Sequence, residues 1–100
     1  MLILKGDNGK SRVVETILNN TKSICFIYYD KQIPLEGIWV DSSQYSIEEL
    51  REGVMEYLEK DNTHYEYVIL YTNLPEEKIN IIPWSKWIGW ICKNVIVTCK

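Results

Sequence analysis

Short apolar runs alternate with segments of helical periodicity along nearly the whole chain, and that alternation restricts the possible folds more than any other feature. Leu2 to Leu4 is uniformly aliphatic, Ile24 to Tyr29 is β-branched and aromatic, and Gly37 to Val40 is a brief run ending at Asp41. Tyr65 to Tyr71 is nearly continuous, and Asn94 to Cys99 closes the series. Apolar runs with so few polar interruptions suit buried strands, Leu2 to Leu4 included, and the Tyr65 run suits the centre of a sheet covered on both faces. Between them, Ser11 to Asn20 places Val13, Val14, Ile17 and Leu18 on one helical face before Asn19-Asn20-Thr21 breaks the pattern. Ser46-Ile47-Glu48-Glu49 is a capping box, and Ile47, Leu50, Val54, Tyr57 and Leu58 follow at helical spacing up to Lys60. Pro75 opens a further helix, with Glu76 and Glu77 in its first turn. Pro83 interrupts or restarts it, and Trp84 to Cys92 again reads as helical.

The order strand, helix, strand, short strand, helix, strand, helix, strand predicts an α/β fold. The expected form is a small three-layer domain, with a mainly parallel sheet of roughly four to five strands and about three helices. The Ile24 and Gly37 runs either form a hairpin or leave the second as an edge strand; residue patterning does not choose.

One hundred residues predict a single domain over 1–100, with one core and no room for a separate lid. Net charge is −3 with lysines and acids interspersed, so there is no basic stripe for extended nucleic-acid binding. Met1 to Leu4 is too short for a signal peptide, and no apolar run reaches the roughly 20 residues that cross a bilayer. A cytoplasmic protein without a membrane partner is expected. Cys25, Cys92 and Cys99 are odd in number and lack C-x-x-C spacing, which predicts buried thiols in a reducing compartment.

Gly6-Asp7-Asn8-Gly9-Lys10-Ser11 is a glycine turn that delivers Lys-Ser to the start of the first helix. A helix N-terminus and a lysine suffice for weak anion affinity, so Gly6, Asn8, Gly9, Lys10, Ser11 and Arg12 are candidate anion-binding residues. The plain alternative is a tight turn with Lys10 solvated. With the strands Val68-Ile69-Leu70-Tyr71-Thr72-Asn73 and Val95-Ile96-Val97-Thr98 following in order, the chain resembles the N-terminal half of a P-loop NTPase core of the RecA-like or AAA-like kind.

That resemblance implies ATP, GTP or a phosphate ion at Gly6 to Ser11. It puts the Val68 run in the place of the Walker B strand, and the Val95 run in that of a strand carrying a sensor residue. The loop is G-x-x-G-K-S where the family has G-x-x-x-x-G-K-[ST], which removes part of the ring of N–H groups around the β-phosphate. Tyr71, Thr72 and Asn73 stand where a magnesium-holding carboxylate belongs, with Asp30 and Asp41 the substitutes at other strand ends. Arg12 and Arg51 are the only arginines, and neither is an evident arginine finger. Hydrolysis is therefore expected to be absent or feeble, and no catalytic residue is assigned.

Trp84, Trp87 and Trp90 recur at i, i+3, i+6, either to cover the sheet or to leave indoles exposed as anchors. Seven tyrosines are too many for a small core to bury with every hydroxyl paired, and strand alternation puts Tyr65, Tyr67 and Tyr71 opposite Val68 and Leu70. Trp84, Trp87, Trp90, Tyr65 and Tyr67 are thus the candidate partner-binding residues. Glu48, Glu49, Glu52, Glu56 and Glu59 form a solvated acidic face, or one that meets a basic partner. His64 is a lone surface histidine without metal-ligand company, and no histidine is placed to activate Ser11, Ser42, Ser43 or Ser46.

The function expected is that of a small non-catalytic interaction, modulator or inhibitor protein on a degenerate P-loop-like scaffold. Such a protein is of the kind phages and mobile elements encode, acting by binding a host protein or by self-association. The alternative is a phosphate- or nucleotide-binding domain with weak or no NTP hydrolysis.

Overall fold

A computed structural model describes residues 2–6, 9–80, 92 and 94–100. Its elements follow the expected order: β1 (Leu2–Lys5), α1 (Lys10–Asn20), β2 (Ser23–Tyr29), β3 (Ile38–Asp41), α2 (Ile47–Asp61), β4 (Tyr67–Thr72), α3 (Glu76–Asn80) and β5 (Val95–Cys99). The five strands form one sheet in the order β1-β5-β4-β2-β3, and every pairing is parallel. Since β2 and β3 run parallel, with Phe26 opposite Ile38 and Tyr29 opposite Asp41, they are no hairpin; β3 is an edge strand.

Each face of the sheet has its own core. On one, Val14 of α1 and Ile33 and Leu35 of the β2–β3 loop pack on Cys25, Ile27, Ile69, Tyr71 and Ile96. On the other, Leu50, Val54 and Leu58 of α2 and Ile79 of α3 pack on Phe26, Tyr28, Val68, Leu70 and Val97. Helix α1 and the β2–β3 loop lie on the first face, and helices α2 and α3, which belong to the connections that run back along the sheet, lie on the second, as uniform crossover handedness requires. Val68, Ile69 and Val97 are wholly buried, each side chain worth about 1.5–3 kcal/mol of transfer free energy. The capping box of α2 forms, Ser46 Oγ accepting from Glu49 N at 3.2 Å and Glu49 Oε1 from Ser46 N at 2.9 Å.

Three expectations need correction. β1 is not a buried strand: it is the other edge, where Leu2 is 54% exposed. Val13 does not join the buried face of α1, because Val14 and the half-buried Ile17 and Leu18 already cover the sheet there. Tyr65 precedes β4 and does not share a face with Tyr67 and Tyr71, since the residues before Tyr67 are not extended into the ladder. The helix expected over Trp84 to Cys92 lies outside the described residues, save Cys92. Cys25, Cys92 and Cys99 are buried free thiols, as expected.

Candidate functional site

Because all strands are parallel, their C-terminal ends gather at one edge of the sheet. The Gly6 turn, Asp30, Asp41, Thr72, Asn73 and Thr98 all belong to that edge. Gly6 (φ 117) and Gly9 (φ 83) take left-handed conformations that strain any side chain, which explains both glycines. Gly9 is the N-cap of α1 with no side-chain cap, and its carbonyl accepts from Val13 N at 3.1 Å. Ser11 and Arg12 are exposed on the first turn, and Asn8 lies outside the described residues.

Lys10 behaves differently from its neighbours. The β4–β5 ladder ends at Leu70 and Val97, and beyond it the strand ends are joined by side chains instead of main-chain pairs. Thr98 Oγ1 donates to the Thr72 carbonyl at 2.9 Å and accepts from Thr72 N at 2.8 Å. Lys10 Nζ donates to the Cys99 carbonyl at 3.0 Å, reaches Asn73 Oδ1 at 3.4 Å and the Thr72 carbonyl at 3.5 Å, and lies 5.8 Å from the Tyr71 ring centre. Only 7% of the residue is exposed. Its ammonium is thus held by the chain's own oxygens, and it must turn outward before it can meet an anion.

Other strand-end groups are similarly engaged. Asp41 Oδ1 accepts from Ser43 N and Ser43 Oγ, and these bonds hold its carboxyl below the usual range. Thr72 Oγ1 accepts from Leu74 N at 3.2 Å. A cavity of about 410 Å³ remains at this edge, bordered by Tyr29, Asp30, Lys31, Ser42 and Asn73. It lies where β2 leaves toward one face and β4 toward the other, the crevice that α/β sheets use for ligands. Burial and the neighbouring Tyr71 push the Tyr29 hydroxyl up to about 12.

A second, larger concavity of about 430 Å³ lies between edge strand β3 and helix α2. Its apolar lining comes from Phe26, Ile38, Val40, Leu50, Val54 and Tyr57. Tyr57 meets Phe26 edge-on, ring centres 5.6 Å apart at 84°. Tyr45, held by a bond from the Tyr28 hydroxyl to its carbonyl, stands at the rim with 48% of its surface exposed. The charged lining residues are Asp41 and Glu49, both acids. Gly53 also lines the groove, midway along α2, and a Cβ there would meet nothing within 4 Å. Glycine inside a helix costs about 0.5–1 kcal/mol relative to alanine, and no described neighbour demands it.

Of the residues singled out for partner binding, Tyr65 and Tyr67 are half-buried: the Tyr65 hydroxyl donates to Asp61, and Tyr67 packs into the α1-side core. Trp84, Trp87 and Trp90 lie outside the described residues. The β3–α2 groove was missed, although one sign of it stands in the sequence: Glu49, Gly53 and Tyr57 recur at four-residue spacing on the capped helix, with a glycine where helices disfavour one. Among the described residues no group of three or more His, Cys, Asp or Glu could hold a metal ion, and no helix is long and apolar enough to cross a membrane. Compared with protein-family models, curated proteins and solved structures, the chain matches none.

Proposed function

We propose that this chain is a non-catalytic interaction module that docks a segment of another protein in the groove between β3 and α2. The observation that carries the reading is the groove itself: a mostly apolar concavity flanked by partly exposed Tyr45 and Tyr57 at an edge strand that pairs on one side only among the described residues. Aromatic residues that are amphipathic and incompletely buried are the type most often found anchoring protein partners.

A photo-crosslinking amino acid placed at position 57 tests this, with position 12 as control. The reading expects a discrete adduct with a host protein from position 57 alone, and its loss when Gly53→Met narrows the groove. Equal adducts from both positions, or none, count against it.

A second reading keeps a phosphate ion, ATP or GTP at Gly6 to Ser11. It is supported by the uncapped start of α1 beside the strand-end cavity. It requires Lys10 to release the Cys99 carbonyl, which weakens any affinity. Thermal stabilisation by one of these ligands, lost in Lys10→Ala, would favour it; no stabilisation would end it.

A further inference from the structure

We infer that the occupant of the β3–α2 groove is an extended peptide segment, apolar at alternate positions and carrying lysine or arginine, which adds to the sheet as a sixth strand beside β3. This deepens the interaction reading and rests on it. The main chain of β3 supplies the first argument. Ser42 N donates to the Tyr29 carbonyl, so the alternation of a parallel ladder turns Val40 toward β2 and points the N–H groups of Trp39 and Asp41 away from it. The Asp41 carbonyl is already used by Gln44 N and Tyr45 N, which leaves Trp39 N–H, Trp39 C=O and Asp41 N–H facing outward. An added strand pairs with such groups, as in the edge-addition mode of peptide recognition; a helix cannot.

Side-chain alternation supplies the second. Ile38 and Val40 pack toward α2 and line the groove, whereas Trp39, which also borders the groove, alternates to the other side of the strand; its indole N–H bonds the Tyr29 carbonyl at 3.0 Å and 38% of the residue is exposed. A neighbouring strand therefore offers one set of side chains to the groove and the other to the indole, which calls for apolar residues at every second position.

Charge selects the partner. Asp41 and Glu49 border the groove, and Glu48, Glu52 and Glu59 lie exposed on the same helix, where Glu56 is paired with Lys60. A second copy brought edge to edge would set these acids against their own equivalents, so self-pairing is disfavoured and a basic segment is favoured.

Gly53 points the same way independently. Its helix position disfavours glycine and its surroundings leave room for a side chain, yet it sits between Glu49 and Tyr57 on the groove wall. A glycine at a helix position that no described residue crowds leaves space for a close approach by a partner.

The test pans a library of random decapeptides displayed on phage against the full chain. Enriched peptides should alternate apolar residues with Lys or Arg. A synthetic representative should bind Gly53→Met about tenfold more weakly although that variant melts no lower than the parent. Glu49→Gln, which keeps the capping hydrogen bond, should lower affinity about threefold and flatten its salt dependence. Enriched peptides that depend on Gly53 but show helical spacing would overturn strand addition while leaving the groove reading intact. Acidic enriched peptides would overturn the charge argument and with it the stated partner. Enrichment indifferent to Gly53, or no enrichment, would overturn both the inference and the groove reading.

Discussion

Lys10 Nζ lies 3.0 Å from the carbonyl oxygen of Cys99, joining the first turn of α1 to the last residue of β5 across almost the entire chain. The ammonium fills the wedge opened where β4 and β5 stop pairing. Removing it in Lys10→Met takes its donor from the Cys99 carbonyl and leaves the Thr72 carbonyl to Thr98 Oγ1 alone, and the expected loss is about 1–3 kcal/mol of unfolding free energy by urea titration. A stability equal to the parent's would mean that Lys10 spends its time in solvent.

Thr98 performs the same office from within the strand. Thr98→Val preserves shape but removes both bonds to the Thr72 main chain, so it too should cost about 1–3 kcal/mol. The two losses should be less than additive in the double variant, because both groups serve the Thr72 carbonyl.

Gly37 enters β3 against β2, and a Cβ there would come within 2.7 Å of the Cys25 carbonyl and 3.0 Å of Ile27 Cδ1. The backbone oxygen cannot move aside without breaking the sheet. Gly37→Ala should therefore destabilise by about 1–3 kcal/mol and displace the groove's edge strand, visible as a lower melting temperature. Gly53→Ala should do the reverse, raising stability by about 0.5–1 kcal/mol.

Alkaline pH should weaken the fold from two groups of the same sign. Burial raises the Cys25 thiol from 9.0 to about 12, and burial with Tyr71 raises the Tyr29 hydroxyl from 10.0 to about 12. In both cases the folded state holds the proton longer than the unfolded chain does, so the contribution is complete below pH 9 and is lost as pH climbs toward 12. Urea midpoints should fall steadily across that window, and Cys25 should resist thiol reagents in the folded protein.

Element order and type were legible because each run carries its own signature: the capping box at Ser46, the proline at Pro75 that immediately precedes α3, and the uninterrupted Val68 to Leu70. Strand order was not, since it depends on which way each crossover turns, and nothing local to Leu2 or Ile38 says that they border the sheet. The same gap hid the site. Gly6 to Ser11 reads as an anion loop from its spacing, but the direction of Lys10 is set by the carbonyls of Thr72 and Cys99, far away in sequence. The groove depends on β3 lying at an edge with α2 above it, so Trp39, Tyr45 and Tyr57 could not be grouped from sequence alone.

Residue-resolved amide exchange tests the central claim most directly. In the free protein, Trp39 and Asp41 should exchange quickly while Val40 and Ser42, bonded toward β2, stay protected. On adding a library-selected alternating apolar–basic peptide, the Trp39 and Asp41 amides should slow markedly. Trp39 and Asp41 amides that remain fast in the complex, with protection appearing elsewhere on the surface, would contradict docking at this edge.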